Sequence, residues 1–585
     1  MIKILKHLRL KEWLLILASL VFIVAQVWLD LKLPDYMSEI TGYVQTEGST
    51  MSQIWEAGAY MLLCALGSLA AAFVVGFFAT RIAASFSARL RSLLFNKVES
   101  FSMAEINRFS TASLITRSTN DITQIQMIVT FGLQVLIKAP ILAVWAIVKI
   151  SGKSWEWTAT TAGAVGALLL FVVVVGLVAL PKFRAIQSLT DNLNRVSREN
   201  LTGLRVVRAY NAEGYQEEKF EEANDILTRT NLFTNRVMAG LMPFMMLIMS
   251  GLGLAVYWIG AHLIEQAEMM DKIGLFSDMI VFSAYAVQVV MAFVMMTVIF
   301  IMMPRAVVAA NRINEVLETE LSITDGSIDN QMPSNQKGHV EFRNVSFKYP
   351  DSEEYVLKNI SFTARKGETV AFIGATGSGK STLINLVPRF YDATEGEVLV
   401  NGINVKEYKQ MNLHDKLGYV PQRNVLFSGS VKGNVAYGTG NISRSAVKKA
   451  VAIAQGTEFI ERMEDQYESH VAQGGANFSG GQKQRLAIAR AIYRNPEIYI
   501  FDDSFSALDY KTDRVLRAAL RNETSEATNL IVAQRIGTIM DADQIIVLDE
   551  GKMVGCGTHR ELLKSCPVYQ EIAYSQLSKE ELEYA

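Results

Sequence analysis

Six apolar runs, each near 20 residues long and all within the first 303 positions, constrain this chain more than any other feature. They cover roughly 13–33, 57–80, 128–150, 157–181, 237–264 and 275–303. A helix needs about 20 apolar residues to cross roughly 30 Å of hydrocarbon. Inside hydrocarbon the backbone must satisfy its own hydrogen bonds, so such runs read as membrane-spanning helices. The remaining half carries no comparable run and reads as a water-exposed α/β domain. The formal charge is -2, from 56 Lys and Arg against 58 Asp and Glu, which excludes a strongly basic nucleic-acid binder. Neither an arginine-rich arm nor an RNP-like motif is present. Cys64, Cys556 and Cys566 are too few and too scattered for a disulfide framework or a zinc site.

Loop charges set the orientation. Segment 34–56 holds Asp35, Glu39, Glu47 and Glu56 without a Lys or Arg and is expected outside. Segments 81–127 and 182–236 hold Arg81, Arg89, Arg91, Lys97, Arg108 and Arg117, then Lys182, Arg184, Arg195, Arg198, Arg205, Arg208 and Arg236. By the positive-inside rule both are cytoplasmic, and so are the two termini. The basic start followed by residues 13–29 resembles a secretory signal, but no small-x-small cleavage site follows, so an uncleaved first span is expected. The two basic segments are poor in Gly and Pro and should prolong the membrane helices into the cytoplasm. Their turns are expected at Ser110–Ile115 and Leu201–Arg205. These boundaries give a membrane domain over 1–320, a polar linker over 321–339 and a second domain over 340–585.

The second domain carries Gly374-x4-Gly379-Lys380-Ser381, directly after the strand-like run Thr369–Ile373. In such a loop Gly374, Thr376, Gly377, Ser378 and Gly379 present backbone amides to phosphate oxygens at the positive end of the following helix. Lys380 adds a point charge at the β and γ phosphates. Ser381 offers a hydroxyl to Mg²⁺, with Thr382 beside it. The apolar run Ile498–Phe501 ends in Asp502, whose carboxylate would flank that metal.

With Phe478-Ser479-Gly480-Gly481-Gln482, Gln422 in Gly418–Gln422, and Ser506-Ala507-Leu508-Asp509, the chain resembles an ATP-binding cassette exporter half-transporter along essentially its whole length. The resemblance implies an α-helical domain of six transmembrane helices fused to an α/β P-loop nucleotide-binding domain. It implies ATP and Mg²⁺, with Ser381, Gln422 and Asp502 around the metal. Two cassettes would sandwich two ATPs, each nucleotide touching one phosphate loop and the other cassette's signature (here Ser479, Gly480, Gly481 and Gln482) and D-loop (Asp509). Tyr349 would stack on adenine.

Three positions depart from the family pattern. Asp503 stands where a catalytic Glu is expected, Gln534 where the switch His is expected, and Gln473 where a Glu usually precedes the signature. An amide cannot carry an imidazolium charge. A carboxylate withdrawn by about 1 Å slows a positioning-limited reaction on the order of 100-fold. The expectation is therefore a site that binds ATP but hydrolyses it poorly, in the degenerate subunit of a heterodimeric bacterial multidrug exporter. Its intact signature would complete the site of a non-identical partner that carries Glu and His. A competent homodimer exporting lipid or peptide, and a nucleotide-gated channel on the same fold, are the alternatives. A fused membrane domain argues against an importer, and six spans against soluble cassette proteins.

The cargo is expected to be a hydrophobic or amphipathic small molecule in a bacterial cytoplasmic membrane. Met238, Met242, Met245, Met246 and Met249, with Met291, Met295, Met296, Met302 and Met303, offer adaptable apolar contacts. Phe244, Phe282, Tyr285, Phe293 and Phe300 could add ring faces. Lys138 falls inside the third span, where an ammonium is expensive unless it meets a cavity or a partner.

Overall fold

The computed structural model describes residues 2–46, 48–151, 154–268, 271–328 and 336–577; part of the linker, 329–335, lies outside them. The chain separates into two compact units, Met1–Val98 with Ala112–Thr319, and Glu99–Thr111 with Glu320–Ala585. The second unit thus borrows a short segment from the middle of the first.

Among the described residues, six helices of the first unit are long and apolar enough to cross a membrane: α1 (Leu10–Gln45), α2 (Met51–Glu99), α4 (Thr111–Ser151), α5 (Trp155–Thr202), α7 (Glu213–Gln266) and α8 (Lys272–Glu318). The short helices α3 (Met103–Phe109) and α6 (Leu204–Ala209) mark the cytoplasmic turns. The first turn lies at α3, not at Ser110–Ile115. Ser102 and Glu105 form a capping box that starts α3, Ser110 ends it at φ 59°, and Thr111 already begins α4. The second turn falls at Gly203, within the expected stretch.

Pro34, Pro181 and Pro304 sit inside long helices. Membrane helices tolerate this where neighbours re-satisfy the freed carbonyls. In α4 a wider π-helical segment, Gly132–Leu136, precedes Pro140. Pro140 has no N–H for the Leu136 carbonyl, and the wider turn absorbs that gap. The unit's core gathers Ile23, Val27 and Leu31 from α1, Trp157 from α5, and Phe282, Tyr285 and Val289 from α8. The most apolar window of α8 is 38% buried against 11% for α7. The chain therefore folds around α8 and leaves the apolar faces of α7 for lipid or another chain.

The second unit holds twelve strands among the described residues: β1 (Val340–Phe347), β2 (Leu357–Ala364), β3 (Thr369–Gly374), β4 (Glu395–Val400), β5 (Ile403–Asn404), β6 (Leu417–Val420), β7 (Gly429–Ser430), β8 (His470–Val471), β9 (Ile498–Asp502), β10 (Thr528–Val532), β11 (Gln544–Asp549) and β12 (Lys552–Gly557). They form a six-stranded sheet of order β12-β11-β3-β10-β9-β6 and an antiparallel sheet β2-β1-β4-β5, while β7 and β8 pair separately. The strands that carry the site are β3 (Thr369–Gly374), β9 (Ile498–Asp502) and β10 (Thr528–Val532). All three are parallel, with β10 between the others, and Val532 lies level with Phe372 and with Asp502. Their carboxyl ends therefore open at one edge, where ligands bind in parallel α/β sheets.

Candidate functional site

The phosphate loop leaves β3 at Gly374 and enters helix α9 (Lys380–Ile384). A Cβ on Gly374 would lie 2.0 Å from the Leu548 carbonyl oxygen, so only glycine fits there. Gly377 and Gly379 adopt φ 87° and 97°, in the left-handed region that glycine enters without strain. The buried Lys380 ammonium donates to the Gly374 and Ala375 carbonyls at 2.9 and 2.8 Å and to Ser378 Oγ at 3.3 Å. Burial lowers its pKa, while Asp503 and Asp502 raise it.

Ser381 Oγ donates to Asp502 Oδ1 at 2.8 Å. Burial, with the Asp503 charge nearby, holds the Asp502 carboxyl above the ordinary aspartate range against the pull of Ser381 and Lys380. A hydroxyl and a carboxylate at this spacing are hard oxygen donors that suit Mg²⁺, which takes few protein ligands and completes its shell with phosphate and water. Among the described residues no cluster of three His, Cys, Asp or Glu could hold a metal without such help.

Asp503 is the hub of the remaining contacts. Its Oδ2 accepts from Gln534 Nε2 at 2.8 Å and from Gln422 Nε2 at 3.3 Å. The residue adopts φ 47°, a left-handed conformation that Asp enters more readily than most side chains. Its carbonyl accepts from Ser506 Oγ at 3.0 Å and from Gln484 Nε2 at 3.3 Å. Burial pushes its carboxyl up, opposed first by the Gln422 and Ser506 hydrogen bonds. Gln484 also accepts from the Ala507 N–H at 3.3 Å, so one buried amide ties the signature helix to the D-loop. Sequence reasoning passed over Gln484; a buried polar residue on the apolar face of an amphipathic helix was the available signal.

Ser479 is the exposed N-cap of α10 (Gly480–Arg494) and forms a capping box with Gln482. Gly480 and Gly481 then present the first helical amides, an anion-binding end. Asp509 caps α11 (Tyr510–Glu523) by accepting from the Thr512 N–H at 3.0 Å. Gln473, in the loop before the signature, is exposed. Tyr349 is half-buried, with its hydroxyl 2.9 Å from Thr382 Oγ1. Thr376 stands exposed at the tip of the phosphate loop.

In the membrane unit Lys138 is not a lone charge. Its ammonium lies 3.0 Å from Asp30 Oδ2, with both side chains about a fifth exposed at 18% and 24%. The Ser68 hydroxyl donates to the same carboxylate, and Gln288 Nε2 donates to the Asp30 carbonyl at 3.3 Å. A second pair, Lys149 with Asp35 at 2.8 Å, is joined by the Tyr285 hydroxyl, which also reaches the Leu31 carbonyl at 2.9 Å. The two clusters tie α1 to α2, α4 and α8. Replacing Lys138 by Leu strands the Asp30 carboxylate and is expected to lower the melting temperature by about 5 °C, with Asp30→Leu in the same chain restoring most of it. A melting temperature unmoved by Lys138→Leu would show the pair to be idle.

The methionines do not form one face. Met245 is buried in the helix core and Met249 and Met296 pack against it, whereas Met242 and Met246 are exposed. Phe282 and Tyr285 are fully buried, Phe293 packs on the same core, and Phe244 stacks on Phe171; the Phe300 side chain lies outside the described residues.

Residues 15–293 match the family model described as ABC transporter transmembrane region, and residues 357–506 the one described as ABC transporter. An uncharacterized ABC transporter ATP-binding protein of Mycobacterium tuberculosis is 41% identical over 561 residues, covering 94% of this chain and 93% of that protein. YfiB of Bacillus subtilis, likewise an uncharacterized ABC transporter ATP-binding protein, is 35% identical over 91% of each. An ATP-dependent lipid A-core flippase of Pseudomonas syringae is 32% identical, covering 86% of this chain and 82% of that one. The solved structure of a bacterial Atm1-family ABC exporter with ATP bound shares the fold at TM-score 0.78 and 24% identity, covering 96% and 98% of the two chains.

Proposed function

This chain belongs to the ABC transporter family as a half-transporter of the exporter type, a multi-pass integral membrane protein, and from that premise we propose that it is the degenerate-site subunit of a heterodimeric exporter. The observation that carries the reading is the Asp503 carboxylate, held by the Gln534 and Gln422 amides at 2.8 and 3.3 Å. A side chain one methylene shorter than Glu, with one carboxylate oxygen already engaged by two amides, is poorly placed to orient an attacking water.

The phosphate loop still has what binding needs. Gly374, Thr376, Gly377, Ser378 and Gly379 supply the amide cradle, Lys380 the counter-charge, and Thr382 a further hydroxyl. Ser381, Asp502 and Gln422 would hold Mg²⁺, which neutralises charge across the β and γ phosphates when bound. Tyr349 would stack on adenine. The signature, Ser479 to Gln482, and Asp509 would serve the partner's nucleotide, on a chain that carries the Glu and His missing here. Two filled sites would draw the cassettes together, and α3 and α6 would pass that closure to the membrane helices.

The cargo is a hydrophobic or amphipathic compound, a reading supported by the flippase relative, whose name gives it a lipid to move. The test is to purify this chain alone and after co-expression with a neighbouring cassette half-transporter. One-to-one co-purification with strong ATPase only in the pair is expected. Robust turnover by the chain alone would replace this reading with a competent homodimer.

A further inference from the structure

The nucleotide unit receives the membrane chain at two places, and both meet the same four-residue loop, Arg389 to Asp392. One is α3. The other is the segment 320–326 that follows α8. Glu105 of α3 joins them: its carboxylate accepts from the Ser102 N–H at 2.7 Å and from the Ser322 N–H at 3.1 Å. The Ser102 and Ser322 hydroxyls lie 2.9 Å apart. These hydrogen bonds hold the Glu105 carboxyl below the ordinary range although burial pulls it up. The loop is built to stay in place. Arg389 is buried and held at φ 57°, paired with Asp392 at 2.8 Å, and donates to the Thr324 carbonyl at 3.0 Å.

Tyr391 stands between this junction and the nucleotide end. Asn107 Nδ2 of α3 donates to the Tyr391 hydroxyl at 3.0 Å. The Tyr391 ring meets the Tyr349 ring edge to face, with centroids 5.3 Å apart at 89°. Phe347 braces both rings, at 5.0 Å from Tyr349 and 5.6 Å from Tyr391. Tyr349 in turn reaches Thr382, next to the phosphate loop, at 2.9 Å. An unbroken line of side chains therefore runs from the phosphate-loop helix through two tyrosines to α3.

We propose that Tyr391 is a positioning residue that couples occupancy of the nucleobase position to α3, so that the base, and not the triphosphate alone, drives this helix. This rests on the reading that Tyr349 stacks on adenine. A ring facing Tyr349 edge-on must follow when Tyr349 settles on a base, because tight packing leaves no slack between them. Asn107 then carries the displacement into α3, which is continuous in sequence with α2 and α4.

Hydrogen exchange of residues 102–110 in the full chain, within its exporter complex, tests this. Magnesium ATP is expected to slow exchange of α3 amides about fivefold or more, and magnesium tripolyphosphate, which lacks the base, to leave them near the ligand-free rate. Tyr391→Phe keeps both rings and removes only the hydroxyl. It is expected to abolish most of the ATP-induced protection while leaving ATP affinity within about threefold, and Asn107→Leu added to it is expected to change little more. Full protection in Tyr391→Phe would overturn the coupling, and so would a loss of ATP affinity parallel to the loss of protection, which marks a local packing role. Tyr349→Ala separates the underlying assumption: a loss of ATP affinity of about tenfold, the scale of one base–aromatic stack, upholds it. Unchanged affinity in Tyr349→Ala would remove the base reading, and the coupling with it.

Discussion

Asp503→Glu combined with Gln534→His is expected to raise ATP hydrolysis at this chain's own site by about 100-fold, measured in the assembled complex with the partner's catalytic Glu replaced by Gln. The magnitude follows from geometry. The added methylene carries the carboxylate forward by about 1 Å, and placement on that scale governs rates in positioning-limited reactions. The imidazole replaces the amide that donates to Asp503 Oδ2 at 2.8 Å, leaves Gln422 as the other amide on that oxygen, and adds a group that can carry a positive charge beside the phosphates. Either substitution alone should yield less, because the two residues touch and their effects will not add. The left-handed backbone at position 503, φ 47°, favours Asp over Glu and will hold the gain below what an ideal site would reach. If the doubly substituted, correctly assembled complex hydrolyses no faster, the degenerate-site reading fails.

The second large effect is an asymmetry. Ser479→Arg is expected to lower the ATPase of the complex by about 100-fold, the scale on which removal of one preorganised anion-stabilising donor slows an enzyme. Lys380→Ala, which strips the counter-charge from this chain's own phosphate loop, is expected to lower it only about twofold while weakening ATP binding to this site on the order of 100-fold. The difference follows from the degenerate-subunit reading: Ser479, at the exposed end of α10, would act on the partner's competent nucleotide, whereas Lys380, against the Gly374 and Ala375 carbonyls, serves only this chain's slow site. Losing the Ser479 cap destabilises α10 by about 1 kcal/mol, so equal recovery of the complex on gel filtration is the control. Equal damage from the two substitutions would mean equivalent sites and would sink the degenerate-subunit reading.

Most of the architecture was legible because its signals are local. Apolar runs of fixed length announce membrane helices, and the Gly374 to Ser381 loop announces phosphate wherever a strand precedes it. The misplaced first turn was legible as well, since Ser102 and Glu105 spell a capping box; the Ser and Thr at 110–116 were a weaker cue that drew the expectation eight residues downstream. Other features could not be read. Lys138 advertises a charge inside a span, yet nothing near it in sequence points to Asp30, which packing alone brings within 3.0 Å. The methionine spacing says which residues share a helix but not which face the helix buries, so Met245 and Met246 part company despite being adjacent. Asp503 could be recognised as a departure, but its grip by two amides depends on β9, β10 and the Gln422 loop ending at the same edge.

Because Glu99–Thr111 folds with the nucleotide unit, that unit is not a contiguous stretch of chain. A fragment beginning at Glu320 would leave out seven-residue α3, so Ser322 would lose Glu105 and Tyr391 would lose Asn107. ATPase domains swapped between exporters at a single junction would inherit the same mismatch, matching a resident α3 to a foreign loop. The modular unit for recombination, natural or engineered, is therefore a cassette together with the short helix that the membrane half lends it.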